Sequence, residues 1–161
     1  MGKLNKYWLT LFLIFSIIGI FSSSIVLYIY YYLHIAPPLC TNISSPFPGV
    51  TIDCIKVLSS KYAELFDEPL DFLAIIWFII NIILVLIYNY SRNYDKIIFR
   101  FLMYWRFIGL LIIPYLIYIE FFILKAVCLY CTIMHIMIIA DFIVVTYYSY
   151  KNKLGILLPK I

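Results

Sequence analysis

Four long apolar stretches restrict what this chain can fold into. Each is close to the roughly 20 residues that an α-helix needs to cross a bilayer. We place the predicted spans at about residues 7–33, 72–88, 101–124 and 126–148. Hydrophobic residues make up 66% of the chain and charged residues 12%, whereas a soluble domain carries about 25% charged residues. The sequence therefore predicts an all-α integral membrane protein, a four-transmembrane-helix bundle that forms one domain over residues 1–161.

The first apolar stretch has an alternative interpretation as a signal peptide. It is too long for the apolar core of a signal, and no small-x-small cleavage site follows it. We therefore expect it to remain as a membrane span. The tail after the fourth span, residues 151–161, is too short for another domain.

The distribution of basic residues predicts the orientation of the bundle. Eight of them would share one face of a four-span protein: Lys3, Lys6, Arg92, Lys96, Arg100, Lys151, Lys153 and Lys160. By the positive-inside rule, both termini lie in the cytosol of a multi-pass plasma-membrane protein, and segment 34–71 faces outside. Charge counting leaves inverted insertion open. The net charge is only +4 and there is no basic tract, which argues against a nucleic-acid partner.

Segment 34–71 is predicted to be more than a plain loop. Pro37, Pro38, Pro46 and Pro48 keep its first half extended or turned. Beyond Asp53, a good N-cap, apolar residues recur at helical spacing until Pro69 marks the exit; they are Ile55, Leu58, Tyr62, Leu65 and Phe66. This pattern predicts a short amphipathic helix over the outer mouth of the bundle. A generic interfacial helix is the alternative.

All four cysteines, Cys40, Cys54, Cys128 and Cys131, fall on the predicted outer side, where compartments are oxidising and disulfides persist. Cys128 and Cys131 form a Cys-x-x-Cys motif at the predicted start of span four. Exposed N–H groups and the helix dipole stabilise a thiolate there, and the thiolate is the species that attacks disulfides. Cys131 would lie about 4.5 Å deeper, from the rise per residue. The motif thus predicts that one sulfur meets a thiol from the soluble side and that the other meets a group within the membrane.

Two other interpretations of the cysteines stay open. They could form structural disulfides without turnover. Alternatively Cys128, Cys131 and His135 share a helix face and could bind a metal, but their spacing is not a usual zinc signature. We predict that the protein has no metal site.

Three stretches of the sequence resemble the vitamin K epoxide reductase family in its prokaryotic form. Residues 54–69 are similar to the family's segment from a loop cysteine to the proline that opens span two. Residues 115–120 resemble the end of its third span, and residues 128–135 resemble its redox motif. With the four spans, the resemblance covers nearly the whole chain. It implies a four-helix membrane bundle with a quinone pocket near the deeper cysteine.

The resemblance also implies a direction for the electrons. Cys40 and Cys54 would be a shuttle pair that reoxidises a thioredoxin-like (DsbA-like) partner in trans, and Cys128 would receive the electrons. Cys131 would lie next to a quinone, which could be menaquinone, ubiquinone or a similar compound. Which loop cysteine attacks Cys128 is left open. The implied activity is a quinone-dependent, disulfide-forming thiol oxidoreductase; the alternatives are a quinone or quinone-epoxide reductase for quinone recycling, and a non-enzymatic membrane protein with structural disulfides.

The sequence departs from the familiar family pattern at several points. Thirteen residues, 41–53, separate Cys40 and Cys54, which is more than usual. Asp67 stands where a glycine is usual, and Ala74 where another is common. The thioredoxin-like domain that is fused to many bacterial members does not occur here, so we expect the partner to be a separate protein.

Four further residues are candidates for contact with the quinone: His135, Ser59, Ser60 and Trp77. An imidazole one turn beyond Cys131 can hydrogen-bond a quinone carbonyl or donate a proton. A serine hydroxyl can polarise a quinone oxygen, and an indole ring can form a wall of the pocket. For each of them, a packing or capping role is the alternative.

Two carboxylates fall within or beside the apolar stretches, where charge is costly. Glu120 could pair with Lys125 or stay at the interface without a role. Asp141 lies deeper and needs a partner, for which Arg106 across the bundle is the candidate. We expect that pair to be structural.

Overall fold

Four long helices form the body of the protein in a computed structural model, which describes residues 5–38, 40, 43–44, 47–90 and 95–151. The helices that are long and apolar enough to cross a membrane span Lys6–Tyr32, Leu70–Tyr90, Ile97–Leu124 and Leu129–Tyr148. The predicted all-α, four-span membrane architecture is therefore confirmed. Of the basic residues used to predict orientation, Lys3, Arg92, Lys153 and Lys160 lie outside the described residues.

Short elements connect the spans. In chain order, the helices are α1 (Lys6–Val26), continued by a π-helix (Leu27–Tyr32), α2 (Cys54–Leu58), α3 (Leu70–Tyr90), α4 (Asp95–Tyr118), continued by a π-helix (Ile119–Leu124), and α5 (Leu129–Lys151). The strands are β1 (Ile43–Ser44), β2 (Thr51–Ile52), β3 (Glu64–Leu65), β4 (Glu68–Pro69) and β5 (Ala126–Val127). Strand β2 pairs with β1 and β5, and β3 pairs with β4. All four cysteines lie at one end of the bundle, which we call the cysteine end.

Large apolar side chains cover the outside of the four spans. Examples are Phe21, Leu111 and Phe122, each about two-thirds or more exposed. So continuous an apolar surface would be unfavourable in water, whereas it is compatible with contact with lipid. Because lipid is as apolar as leucine, close packing rather than apolar burial must hold the helices together.

Small residues on α1 provide that packing. A Cβ added at Gly19 would overlap the ring of Phe78 on α3, so only glycine permits this approach of the two helices. On the neighbouring face, Ser22 donates a hydrogen bond to the Tyr130 carbonyl at 3.1 Å, and Ser23 Oγ lies 3.3 Å from the sulfur of Met134. Helix α1 is thereby fixed between α3 and α5.

A cluster of buried polar groups lies deeper in the bundle. Ser16 Oγ donates to Asp141 Oδ2 at 2.8 Å, and Arg106 Nη1 donates to the main-chain carbonyl of Asp141 at 2.6 Å. The guanidinium carbon lies 4.5 Å from the ring centre of Phe12. Arg106 is thus the partner of Asp141, although its hydrogen bond goes to the carbonyl oxygen and not to the carboxylate.

The prediction of a helix over the mouth of the bundle is only partly right. Asp53 is the N-cap, and its Oδ1 accepts a hydrogen bond from the Lys56 N–H at 3.0 Å. The helix nevertheless ends at Leu58, and the expected continuation to Phe66 is wrong. Residues 64–69 form the β3–β4 hairpin instead, and Phe66 is 89% exposed at its tip.

The hairpin turn also explains the residue that replaces a usual glycine. Phe66 and Asp67 have φ values of 58° and 64°, as both central residues of a tight hairpin turn of this kind require. Glycine adopts this conformation freely, and aspartate tolerates it better than most residues. Helical spacing of the apolar residues could not reveal these positive φ values, which place the hairpin turn at Phe66 and Asp67.

The start of the fourth span also differs from the prediction. Residues 126–127 form strand β5, and the helix begins only at Leu129. A left-handed residue, Lys125 with φ 52°, separates the third span from this strand. Cys128 therefore lies just before the helix and not within it.

We predict that Asp141→Leu destabilises the protein by roughly 3–5 kcal/mol, because it leaves the buried Arg106 charge without its neighbouring carboxylate. The double variant Asp141→Leu, Arg106→Leu should recover a large part of that loss, since it removes both charges. Thermal unfolding in detergent, followed by circular dichroism, measures the difference. A double variant as unstable as the sum of its single variants would contradict the pairing.

Candidate functional site

Two short strands bring distant parts of the chain together at the cysteine end. Strand β2 pairs in parallel with β5, with Thr51 opposite Ala126 and Ile52 opposite Val127. The Thr51 N–H donates to the Lys125 carbonyl, and the Asp53 N–H donates to the Val127 carbonyl, each at 3.1 Å. The register places the residues that follow the two strands beside each other, and these include Cys54 and Cys128.

Cys40 and Cys54 form a disulfide with a Cα–Cα distance of 5.3 Å. The Cys54 N–H also donates to the Cys40 carbonyl at 3.3 Å. Nearby, the hydroxyl of Tyr130 on α5 donates to the Pro38 carbonyl at 3.0 Å. These contacts fix the first half of segment 34–71 to the start of α5.

The Sγ atom of Cys128 completes a group of three sulfurs. The Sγ atoms of Cys40, Cys54 and Cys128 all lie within 4.8 Å of one another. All three residues are fully buried in one cluster, in which the apolar neighbours include Val26, Val57 and Ala126. A free thiol thus lies beside a disulfide, the arrangement that thiol–disulfide exchange requires.

The start of α5 stabilises the sulfur of Cys128. Cys128 immediately precedes the helix, and the Cys131 N–H donates to its Sγ at 3.4 Å. The side chain therefore takes the N-cap position, where N–H groups and the helix dipole favour a thiolate. Cys131 follows one turn later and is also a free thiol.

Three cavities lie on the membrane side of the cysteines. A small one of about 40 Å³ is lined by Cys131, Ser60, Tyr62, Asp71, Glu120 and His135 among apolar residues. Two larger ones of about 270 Å³ each flank it and are almost entirely apolar. His135 lines all three cavities. Trp77 lines only the one of the two larger cavities that lies between α3 and α4. Apolar cavities with a few polar groups are typical of small-molecule sites.

The predicted quinone-contacting residues divide into two groups. His135, Ser60 and Trp77 line the cavities, and the Nε2 of His135 and the Nε1 of Trp77 are buried without a hydrogen-bond partner. Ser60 Oγ donates to the Val57 carbonyl at 2.7 Å. Ser59 is exposed, caps the end of α2, and is not among the residues that line these cavities. Of the two adjacent serines, only Ser60 therefore faces the site.

Two acidic residues take positions that the sequence did not predict. The Glu120 carboxylate lies near the Cys128 N–H, and no ion pair joins it to the exposed Lys125. Asp71, in the first turn of α3, is 4% exposed and lines the small cavity. The only sequence signal for its burial is a weak one, the position of a carboxylate directly before an apolar stretch.

The sequence left open that Cys128, Cys131 and His135 bind a metal. Among the described residues, these three do not form a group of closely spaced ligand atoms. The cluster with suitable spacing contains Cys40, Cys54 and Cys128 instead. Two of these sulfurs form a disulfide, whereas metals bind thiolates. We retain the prediction that the site carries out sulfur chemistry without a metal.

The model of one protein family, the Vitamin K epoxide reductase family, matches residues 10–146 of the 161-residue chain. The matched region includes most of the first and fourth spans, all of the second and third, the four cysteines and the residues that line the cavities. A search of curated proteins finds no match to the chain.

We predict that Thr51→Pro exposes the sulfur group, because proline removes the N–H that bonds the Lys125 carbonyl. An unpaired carbonyl costs about 1–3 kcal/mol, so alkylation of Cys128 should become roughly tenfold faster. Mass spectrometry after timed treatment with a maleimide measures the rate for each cysteine. Thr51→Val, which keeps the N–H, is the matched control. Equal rates in the two variants would show that the strand pairing does not hold the sulfurs in place.

Proposed function

This chain belongs to the vitamin K epoxide reductase family, and we propose that it reoxidises a thioredoxin-like partner and passes the electrons to a membrane quinone. The protein is a multi-pass membrane oxidoreductase, and its family couples disulfide chemistry to quinones. The observation that supports the proposal best is the group of three sulfurs within 4.8 Å of one another. A disulfide that is only structural has no need of a third sulfur at that distance.

The exchange between the two cysteine pairs follows from this arrangement. A thioredoxin-like dithiol reduces the Cys40–Cys54 disulfide and becomes a disulfide itself. A loop thiolate then attacks the sulfur of Cys128 in a Cys128–Cys131 disulfide, and Cys131 leaves as a thiolate. The second loop cysteine attacks the mixed disulfide, reforms the Cys40–Cys54 bond and releases Cys128. Two electrons have then moved from the partner to the Cys-x-x-Cys pair, which matches the oxidised and free cysteines in the structure.

The cavities beside Cys131 suit a quinone. They are apolar, two of them hold about 270 Å³ each, and they open beside buried polar atoms that have no partner. We propose that the Nε2 of His135 and the Nε1–H of Trp77 hydrogen-bond the quinone oxygens, and that Ser60 lies at the edge of the same site. When bound, the quinone accepts the two electrons together with two protons. The apolar walls would exclude water from the ring, and the small cavity, which shares His135 with the two larger ones, reaches Cys131.

The proposed orientation places the cysteine end outside the cytosol, in the plasma membrane. The excess of basic residues at the opposite end supports it. The partner would then be a separate, extracytosolic protein, and the activity would support disulfide bond formation there. Labelling of Cys131 or Cys128 in sealed cells, after reduction, with a thiol reagent that does not cross membranes tests this orientation.

We predict that Cys131→Ser abolishes quinone-dependent oxidation of a reduced thioredoxin-like protein by the purified enzyme. Without Cys131, no Cys128–Cys131 disulfide can form to accept electrons from the loop pair. The Cys128 thiolate can instead attack the Cys40–Cys54 disulfide and release one loop cysteine as a thiolate, and the mixed disulfide should accumulate because Cys131 is missing to resolve it. Peptide mapping detects this bond, and alkylation of the released loop cysteine shows which of the two pairs with Cys128. Ser59→Ala, a change at an exposed hydroxyl outside the cavities, is the control. Undiminished partner oxidation by Cys131→Ser, with quinone as the sole oxidant, would rule out the proposed relay.

We predict that Trp77→Phe and His135→Phe each raise the KM for a short-chain quinone roughly two- to tenfold, the effect of one hydrogen bond worth about 0.5–1.5 kcal/mol. Partner-to-loop exchange measured without quinone should not change, because both residues lie away from the three sulfurs. Trp8→Phe replaces an indole at the opposite end of the bundle and should leave the KM unchanged. Equal KM values for all variants would place the quinone elsewhere.

A further inference from the structure

Asp71 and Glu120 are buried carboxylates that the relay of sulfurs does not use. Asp71 is 4% exposed and Glu120 5% exposed, and they lie at the cysteine ends of α3 and of the third span. A carboxyl group so close to lipid costs free energy, and such groups commonly mark proton pathways. Two of them facing the same small cavity need an explanation.

The two carboxylates converge on the sulfurs. Both line the 40 Å³ cavity together with Cys131, and both lie within electrostatic range of its sulfur. The Glu120 carboxylate also lies near the Cys128 N–H. Acidic groups from two helices are therefore placed beside the two thiols of the Cys-x-x-Cys motif.

An unpartnered side chain in the same cavity independently indicates proton transfer. His135 is 5% exposed, and its Nε2 is buried without a hydrogen-bond partner. The buried hydroxyl of Tyr31 also has none, and it lies within electrostatic range of Asp71 and Cys131. A water molecule needs about 10–15 Å³ of such space, so the cavity is large enough for water to connect these groups.

We propose that Asp71 and Glu120 are proton-transfer groups, which take up the protons released by Cys128 and Cys131 and deliver them through the small cavity to the quinone oxygens. The inference rests on the proposed function. Oxidation of the two thiols breaks two S–H bonds, forms one S–S bond and releases two electrons and two protons. The electrons reduce the quinone to the quinol, and the two protons complete its hydroxyl groups. The carboxylates are regenerated, so charge and atoms balance.

The need for such groups follows from the surroundings of the sulfurs. A thiol must lose its proton before its sulfur reacts, and in an apolar site no bulk water is at hand to accept it. A carboxylate within reach can act as the base, and His135, which lines all three cavities, connects it with the proposed quinone site. The purely structural alternative is that Asp71 interacts with the N-terminus of α3 and that Glu120 only holds the Cys128 N–H.

Single-turnover quinone reduction by the pre-reduced, full-length protein in nanodiscs tests the proposal. A short-chain ubiquinone and a short-chain menaquinone serve as probes. Asp71→Asn and Glu120→Gln keep the shape of each side chain and remove its ability to carry a proton. Each should slow quinone reduction roughly 10²-fold, the usual contribution of acid–base catalysis. Asp71→Glu and Glu120→Asp keep a carboxyl group and should recover part of the rate, and Glu68→Gln, at an exposed carboxylate of β4, should not change it.

A measurement without quinone separates proton transfer from a structural role. The pH profile for alkylation of Cys131 by iodoacetamide should shift in Asp71→Asn and Glu120→Gln, since the thiol shares its proton equilibrium with these carboxyls. The titratable groups that face the thiol or the cavity are Cys128, Tyr31, Tyr62, Asp71, Glu120 and His135. In Glu68→Gln the profile should stay in place.

The outcomes distinguish the two proposals. A wild-type protein that does not reduce either quinone would refute the proposed function and the proton path with it. If the wild type reduces quinone and the neutral variants match its rate, only the proton path is wrong. It is also wrong if their rate falls while the alkylation profile stays in place and the melting temperature falls, since that combination indicates a structural role. Should one neutral variant fail to fold, the other decides: a wild-type rate together with an unshifted alkylation profile in the variant that folds would overturn the proposal.

Discussion

The parallel pairing of β2 with β5 is the interaction on which the site depends. It consists of two residues from each strand, and main-chain hydrogen bonds at both ends hold it in register. The left-handed conformation of Lys125 turns the chain from the third span into β5. Because Cys128 follows the paired residues directly and Cys54 follows them after Asp53, this register determines which sulfurs meet. A change of one residue in the pairing would direct the side chains to opposite faces and separate the two cysteines.

The membrane imposes a second constraint, which concerns polar groups. In lipid, an unsatisfied polar group costs more free energy than it does at a wet surface. In the middle of the bundle, Ser16, Arg106 and Asp141 share hydrogen bonds, so their burial is partly compensated and the helices are fixed against each other. Beside the cavities, His135 and Trp77 have buried nitrogen atoms without hydrogen-bond partners. Polar groups that the protein leaves unpartnered beside a cavity are the ones available to a substrate.

Local sequence patterns failed where conformation depends on contacts between distant segments. The apolar spacing after Asp53 predicted a helix to Phe66, yet the helix ends at Leu58 and a hairpin follows. Five residues make too short a helix to be stable by itself, so packing at the mouth of the bundle decides its length. Adjacent residues posed a similar problem. No local rule distinguishes Ser59 from Ser60, and only the end of α2 shows which of them faces the cavity.

The sequence by itself determined the four spans, the presence of all four cysteines at one end, and the Cys-x-x-Cys motif at a helix start. Length, apolar composition and the order of the spans suffice for those features, because lipid requires every spanning segment to satisfy its own backbone hydrogen bonds. Only the tertiary structure decided that the sulfur of Cys128 lies beside the Cys40–Cys54 disulfide. It alone also revealed that Asp71 and Glu120 face Cys131. The reason is physical: these residues belong to separate elements, and their distances are set by the strand register and the helix packing, which no local pattern of residues encodes.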